Sequence, residues 1–264
     1  MDTYTHGHAE PVLASHRWRT AENSAAYLLP SLRPGLDLLD VGCGPGTITV
    51  DLAARVAPGR VVGVDTAAVV LDEARAAAAD AGAAVSFEVG DVYALDLPDD
   101  SFDVVHAHQV LQHVSDPVAA LREMARVCRP GGLIAVRDVD YAAVALHPQD
   151  EVLDRWLELY SEVARRNGGE PDAGRRLLAW AHAAGLRSVT ASTSSWCFAT
   201  PADREWWGRS WAGRATASAF AEQARVCGLA DDAQLQAIAE AWLRWAAHDD
   251  GWLGMLHGEV LIRV

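Results

Sequence analysis

Lysine is absent from this chain: all 22 positions counted as lysine or arginine are arginine, which removes Schiff-base chemistry at a lysine amine from the possible activities. Positive charge is scarce altogether. Against those 22 arginines stand 36 aspartates and glutamates, a formal net charge of -14 at pH 7. The resulting field repels phosphate backbones and anionic lipid, so neither nucleic acid nor a membrane is an expected partner. No apolar run approaches the roughly 18 residues that a bilayer span needs. The opening MDTYTHGHAEP lacks a basic segment followed by an apolar one, so a cytoplasmic protein is expected. Cysteine is limited to Cys43, Cys128, Cys197 and Cys227, with no C-x-x-C spacing. That argues against a zinc knuckle or a disulfide framework and for reduced, mostly buried thiols.

What is present is apolar patterning. Half of the 264 residues are hydrophobic, enough for a sizeable core with an elaborated cap. From residue 36 onward, short apolar runs alternate with helical periodicity at intervals of roughly ten to fifteen residues, the pattern of βαβ units and a parallel sheet. Strands are predicted at 36–42, 60–65, 85–91, 102–108 and 132–140, with two more at VTASTSSWCF and EVLIRV (259–264). Helices are predicted between them, one of them opened by Asp116 and Pro117 and closed by Gly131. Ahead of the first strand, 14–31 has helical periodicity that stops at Pro30 and Pro34. Beyond the fifth, 149–166 and the segment PDAGRRLLAWAHAAGL read as helices, the latter capped by Gly185, and 201–250 is helical and rich in tryptophan. The expected organisation is a helical lid over 1–34, an α/β core over 35–140, and acceptor-side helices (about 148–170 and 200–250) with the last two strands over 141–264.

Chemistry concentrates at the strand ends. LLDVGCGPGTIT places Gly42, Gly44 and Gly46 in the turn from the first strand into the first helix, where small residues let a ligand approach the backbone. A nicotinamide or flavin dinucleotide would also suit such a turn. Its fingerprint G-x-G-x-x-G, however, needs glycine at position 47, where Thr47 stands, and Asp40 puts negative charge where a pyrophosphate would lie. Asp65 ends the second strand about twenty residues on, placed to accept two ribose hydroxyls, and Asp91 with Val92 follows the third. In an open α/β sheet these strand ends face one crevice.

D-V-G-C-G-P-G, the acid in G-V-D, the G-D-V after strand three, and F-D-V-V…H…P…L-R-E-M-A-R-V-C-R-P-G-G resemble the class I S-adenosylmethionine-dependent methyltransferases over residues 36–140. The resemblance implies a Rossmann-like, doubly wound seven-stranded α/β sheet with an antiparallel last strand and helical cap insertions. It implies S-adenosyl-L-methionine as cofactor, with S-adenosyl-L-homocysteine as product. Gly42, Cys43 and Gly44 would border its methionine part, Asp65 and Thr66 its ribose, Asp91 and Val92 its adenine, and His108, within H-A-H-Q-V, its sulfonium. R-T-A-E at 19–22 is similar to the arginine-bearing helix of small-molecule N-methyltransferases, which makes Arg19 the candidate for the methionine carboxylate.

Methyl transfer from a sulfonium is an in-line displacement, in which a protein chiefly aligns and desolvates its reactants. If the acceptor must lose a proton, His113 is the candidate catalytic base; the same turn also suits a histidine that only packs. His106 and His108 share a strand face without a third ligand at matching spacing, so no metal is expected. Trp196, Trp206, Trp207 and Trp211 could pack the cap or wall an acceptor. The acidic surface and compact cap point to a small acceptor, aromatic or cationic, on a monomer or homodimer. Two alternatives stay open. One is an NAD-dependent oxidoreductase, against which Tyr4, Tyr27, Tyr93, Tyr141 and Tyr160 all lack a lysine four residues on. The other is a cyclase or binding module that keeps the cofactor without transferring methyl.

Overall fold

Leu38–Val41 is buried at every position, as a strand must be when helices cover both of its faces. It is β1, at the centre of an eight-stranded sheet in a computed structural model that describes residues 4–7 and 10–264. Parallel to it and to one another run β2 (Val61–Asp65), β3 (Val85–Val89), β4 (Phe102–His108) and β5 (Cys128–Val139), in the order β3-β2-β1-β4-β5. Two more long strands join them: β8 (Trp252–Arg263), antiparallel to β5, and β7 (Ser188–Phe198) on its other side, antiparallel to β8 and so running with β1–β5. Seven of these strands match the expected sheet. The eighth, β6 (Ala145–His147), is three residues long, too short to leave a periodic signal. Leu253 pairs with Phe198 on one side and Leu146 on the other, so β6 continues the line of β5.

Alternation along the strands divides the core between the two faces. Leu38, Val61, Val104 and Leu133 pack with residues of α2 (Ala21–Ser24) and α3 (Thr47–Val56). Leu39, Val62, Val105 and Ile134 pack with α5 (Pro117–Val127) and α7 (Leu177–Ala183). Val70, Leu71 and Ala74 of α4 (Ala68–Asp80) close over Phe87 and Cys43. A separate aromatic core gathers α6 (Glu151–Arg166), α8 (Pro201–Ala217), α9 (Ala219–Val226) and α10 (Asp232–Ala247) above the ends of β5 and β8. Trp156, Trp211 and Trp242 are fully buried there.

Several expectations change in detail. The helix predicted over 14–31 is three pieces: α1 (Glu10–Arg17), α2 and a 3-10 turn at Leu29–Ser31. Thr20 is the reason: its hydroxyl accepts the Asn23 N–H while the Asn23 side chain accepts the Thr20 N–H, and this reciprocal cap starts a new helix. Gly131 does not cap α5, which ends at Val127; it sits at φ 81° in the irregular start of β5, where pairing with β4 jumps from Cys128 to Leu133. The last strand begins at Trp252 rather than at residue 259. Cys43 and Cys128 are buried, but Cys197 and Cys227 are exposed, so only half of the thiols are interior. Among the described residues no helix is long and apolar enough to cross a membrane.

Candidate active site

A cavity of about 190 Å³ lies beyond the carboxyl ends of β1, β2 and β4. The turn after β1 forms its floor. Gly42, Gly44 and Gly46 have φ of 68°, 53° and 79°, which only glycine adopts at little cost. Their roles differ. A Cβ on Gly42 would strike the Val110 side chain, and one on Gly46 would come within 2.8 Å of the Ala74 Cβ. At Gly44 a Cβ would meet nothing nearer than His16 Nδ1 at 3.9 Å, so here the missing side chain leaves the cavity open. The turn is pinned by Gly42 and Cys43, both donating to the Val64 carbonyl, and by Asp65, whose Oδ2 accepts the Gly44 N–H at 3.0 Å. Asp65 Oδ1 accepts the Ala67 N–H, also at 3.0 Å, and each oxygen keeps a lone pair for a ligand. Asp91 Oδ1 accepts the Tyr93 N–H at 3.0 Å.

Asp40, just before the turn, is held by two side chains. Buried under the turn, it accepts from the Thr49 hydroxyl at 2.5 Å and pairs with His106 Nδ1 at 2.7 Å. His108, two residues further along β4, packs instead against Trp196 and His257.

Arg19 closes the other side. It forms no ion pair among the described residues; its Nη2 donates to Gln109 Oε1 at 2.6 Å, and its Nε is buried without a partner. Desolvation lowers its pKa to about 10. Gln109 donates in turn to His257 Nε2 at 2.9 Å, and His257 Nδ1 bonds the Met255 carbonyl at 3.0 Å, a chain that assigns the proton to Nδ1. Gln109 takes φ 54°, a left-handed conformation that costs a residue with a Cβ about 1–2 kcal/mol, to bring its amide to Arg19. A half-buried cation with no carboxylate paired to it among the described residues, facing a cavity with an open glycine floor, fits a ligand that carries its own carboxylate.

Arg19, Gly42, Cys43, Gly44, Asp65, Thr66, Asp91, Val92, His108 and His113 all line this one cavity. Trp196, Trp206, Trp207 and Trp211 do not line it; Trp207 and Trp211 belong to the cap core.

A sequence profile described as a methyltransferase domain matches residues 32–185. The chain is 34% identical to an uncharacterized methyltransferase of Schizosaccharomyces pombe, over 98% of this chain and 96% of that one. This chain belongs to the class I S-adenosylmethionine-dependent methyltransferases. Among solved structures the methyltransferase is similar in fold to the YcgJ protein of Bacillus subtilis, with a TM-score of 0.61 and 21% identity over 92% of this chain and 98% of that one. It also resembles, at a TM-score of 0.53 and 18% identity over 88% of this chain and 49% of the other, a phosphoethanolamine N-methyltransferase 2 of Haemonchus contortus. That enzyme was solved with phosphomonomethylethanolamine and S-adenosylhomocysteine.

Tyr4 and His16 also line the methyltransferase cavity and went unread in the sequence. Neither lies in a recognisable pattern, and both reach the site only through the fold of the segment preceding α2. Tyr4 Oη and His16 Nε2 are 3.2 Å apart, and the Tyr4 ring meets His113 edge-on at 4.8 Å. Enclosure, with the Arg19 charge adding to it, holds His113 down to about 3. His6, His16, His108 and His257 are likewise held well below 6.5 by desolvation. The unfolded chain therefore binds protons below pH 6.5 that the native methyltransferase refuses, and stability should fall as pH drops from 6.5. Asp138 acts in the opposite sense: burial raises it from 3.8 to about 7, so its contribution is lost as pH rises through that window. Five histidines outweigh one carboxyl group. The urea midpoint should be clearly lower at about pH 5.5 than at about pH 7.5, and equal midpoints would mean that these histidines are solvated.

Proposed function

We propose that this methyltransferase transfers the methyl group of S-adenosylmethionine to a small-molecule acceptor held between the cavity and the aromatic cap. The observation that carries the reading is the convergence of Asp65, the open floor at Gly44 and the carboxylate-free Arg19 on one cavity. In it, Asp65 and Thr66 hold the ribose, Asp91 and Val92 the adenine edge, Gly42, Cys43 and Gly44 the methionine chain, and Arg19 its carboxylate. His108, on the cavity wall, would border the sulfonium. When bound, the donor supplies an electrophilic methyl group whose leaving group departs neutral.

The chain's own residues align and enclose. Arg19 and the Asp65 carboxylate fix the two ends of the donor, so the methyl position is set between them. Tyr4, His16 and His113 cover the cavity and keep water from the reacting centre. His113 forms the acceptor-side wall; held at about 3, it is a weak proton acceptor at neutral pH, and positioning is its contribution.

The test separates the two ends of the donor. Arg19→Gln should weaken S-adenosylhomocysteine binding about 10- to 100-fold, the worth of a charge-assisted hydrogen bond, in isothermal calorimetry. Binding of 5'-methylthioadenosine, which lacks the amino-acid part, should stay unchanged. Equal losses for both ligands would place Arg19 elsewhere, and no binding of either by the unsubstituted protein would overturn the reading.

A further inference from the structure

Gln109 holds a conformation that glycine would adopt at less cost. It follows β4 directly, donates its own N–H to the Arg137 carbonyl at 2.7 Å, and takes φ 54°. What glycine could not supply is the side-chain amide. That amide links a residue of the cavity wall, Arg19, to one that is fully buried and off the wall, His257 of β8.

The bonds through the amide run in one direction only. A guanidinium can only donate and a backbone carbonyl can only accept, so Arg19 Nη2 at one end and the Met255 carbonyl at the other fix every group between them. Gln109 must turn Oε1 to Arg19, at 2.6 Å, and its N–H to His257 Nε2, at 2.9 Å. Taken alone, an amide side chain can present either end. The bare Nε2 of His257 settles which, because it accepts and cannot donate while its ring proton is held by the Met255 carbonyl. With the amide reversed, an N–H would meet the guanidinium, donor against donor. Trp196 backs both ends, its ring 4.4 Å from that of His257 and 5.7 Å from the Arg19 guanidinium carbon.

We propose that Gln109 and His257 are a positioning pair for the methyl donor: His257 holds the Gln109 amide oxygen toward Arg19, and the oxygen holds the guanidinium where the methionine carboxylate binds. This rests on the placement of that carboxylate at Arg19 in the reading above. A neutral oxygen suits the task, since it orients the cation without neutralising it, as a glutamate would. Arg19 lies between α1 and α2, and the pair ties it to β8 at Met255, a member of the aromatic core.

The test compares S-adenosylhomocysteine with 5'-methylthioadenosine by calorimetry, folding being read from the near-ultraviolet circular dichroism of the tryptophans. His257→Phe should weaken the first ligand about 5- to 10-fold, the worth of one hydrogen bond, and leave the second unchanged. His257→Gln, whose oxygen can accept from Gln109 while its N–H donates to Met255, should restore most of the affinity. In an Arg19→Gln background His257→Phe should add no further loss, because the pair acts only through Arg19. Gln109→Glu, which sets a carboxylate against the guanidinium, should cost S-adenosylhomocysteine more than His257→Phe does and again spare 5'-methylthioadenosine. Equal losses for the two ligands in a folded variant, a full loss added to that of Arg19→Gln, or unchanged S-adenosylhomocysteine affinity in His257→Phe or Gln109→Glu would each overturn the proposal. A His257→Phe chain that does not fold leaves Gln109→Glu to decide with the same two ligands. If Arg19→Gln itself weakens both ligands equally, or the unsubstituted protein binds neither, the reading beneath the proposal fails instead.

Discussion

Asp65→Ala is expected to lower the affinity for S-adenosylhomocysteine at least a hundredfold. Two hydroxyl bonds to a carboxylate are worth about 1.5–3 kcal/mol each, so their joint loss reaches about 3 kcal/mol or more. A second effect adds to the first. Asp65 also accepts the Gly44 and Ala67 N–H groups, and without it the turn that forms the cavity floor loses one of its pins. Asp65→Asn separates the two, since an amide oxygen can still accept a backbone N–H but the charge is gone; its affinity should fall between those of the unsubstituted protein and the alanine variant. Calorimetry at constant ionic strength gives the answer, and an alanine variant with unchanged affinity would move the ribose away from the end of β2.

The second large effect concerns stability. Trp211 is fully buried, edge-on to Trp156 at 4.5 Å and stacked on Trp242 at 6.1 Å, with Arg214 over its face. Removing an aromatic side chain of this size from a packed core costs about 3–5 kcal/mol. The lower end applies here, because the Trp211 Nε1 has no hydrogen-bond partner and its loss relieves an unpaired donor. Trp211→Ala should therefore unfold about 6–12 °C below the unsubstituted protein. Trp211→Phe should recover most of the difference. Because Trp211 does not line the cavity, S-adenosylhomocysteine affinity well below the melting point should be unaltered in either variant.

The parts of the fold that were legible in the sequence are those whose signal is local. β1, β2 and β4 are short apolar runs bounded by turns, and Asp65 and the glycines at 42, 44 and 46 follow them at fixed distances. The segment ahead of β1 was legible only as helical periodicity. Its break at Trp18–Thr20 depends on a side-chain cap between Thr20 and Asn23 that competes with an unbroken helix by a margin too small to read in a pattern. Tyr4 and His16 reach the site through tertiary packing, and nothing in their neighbours marks them. The cap tryptophans were readable as aromatic but not as core or wall, a distinction that only their neighbours make.

β8 is the strand on which the two halves of the molecule depend for alignment. Leu253 and Met255 enter the aromatic core, while Val260 and Ile262 enter the core beneath α5 and α7. A slip of one residue along β5 and β7 would turn all four to the wrong face at once. Either core alone therefore fixes the register for the other: once one set of side chains is seated, the opposite end of the strand arrives already in phase. A substitution that loosens the cap thus removes one set of anchors and leaves Val260 and Ile262 to hold the strand in phase.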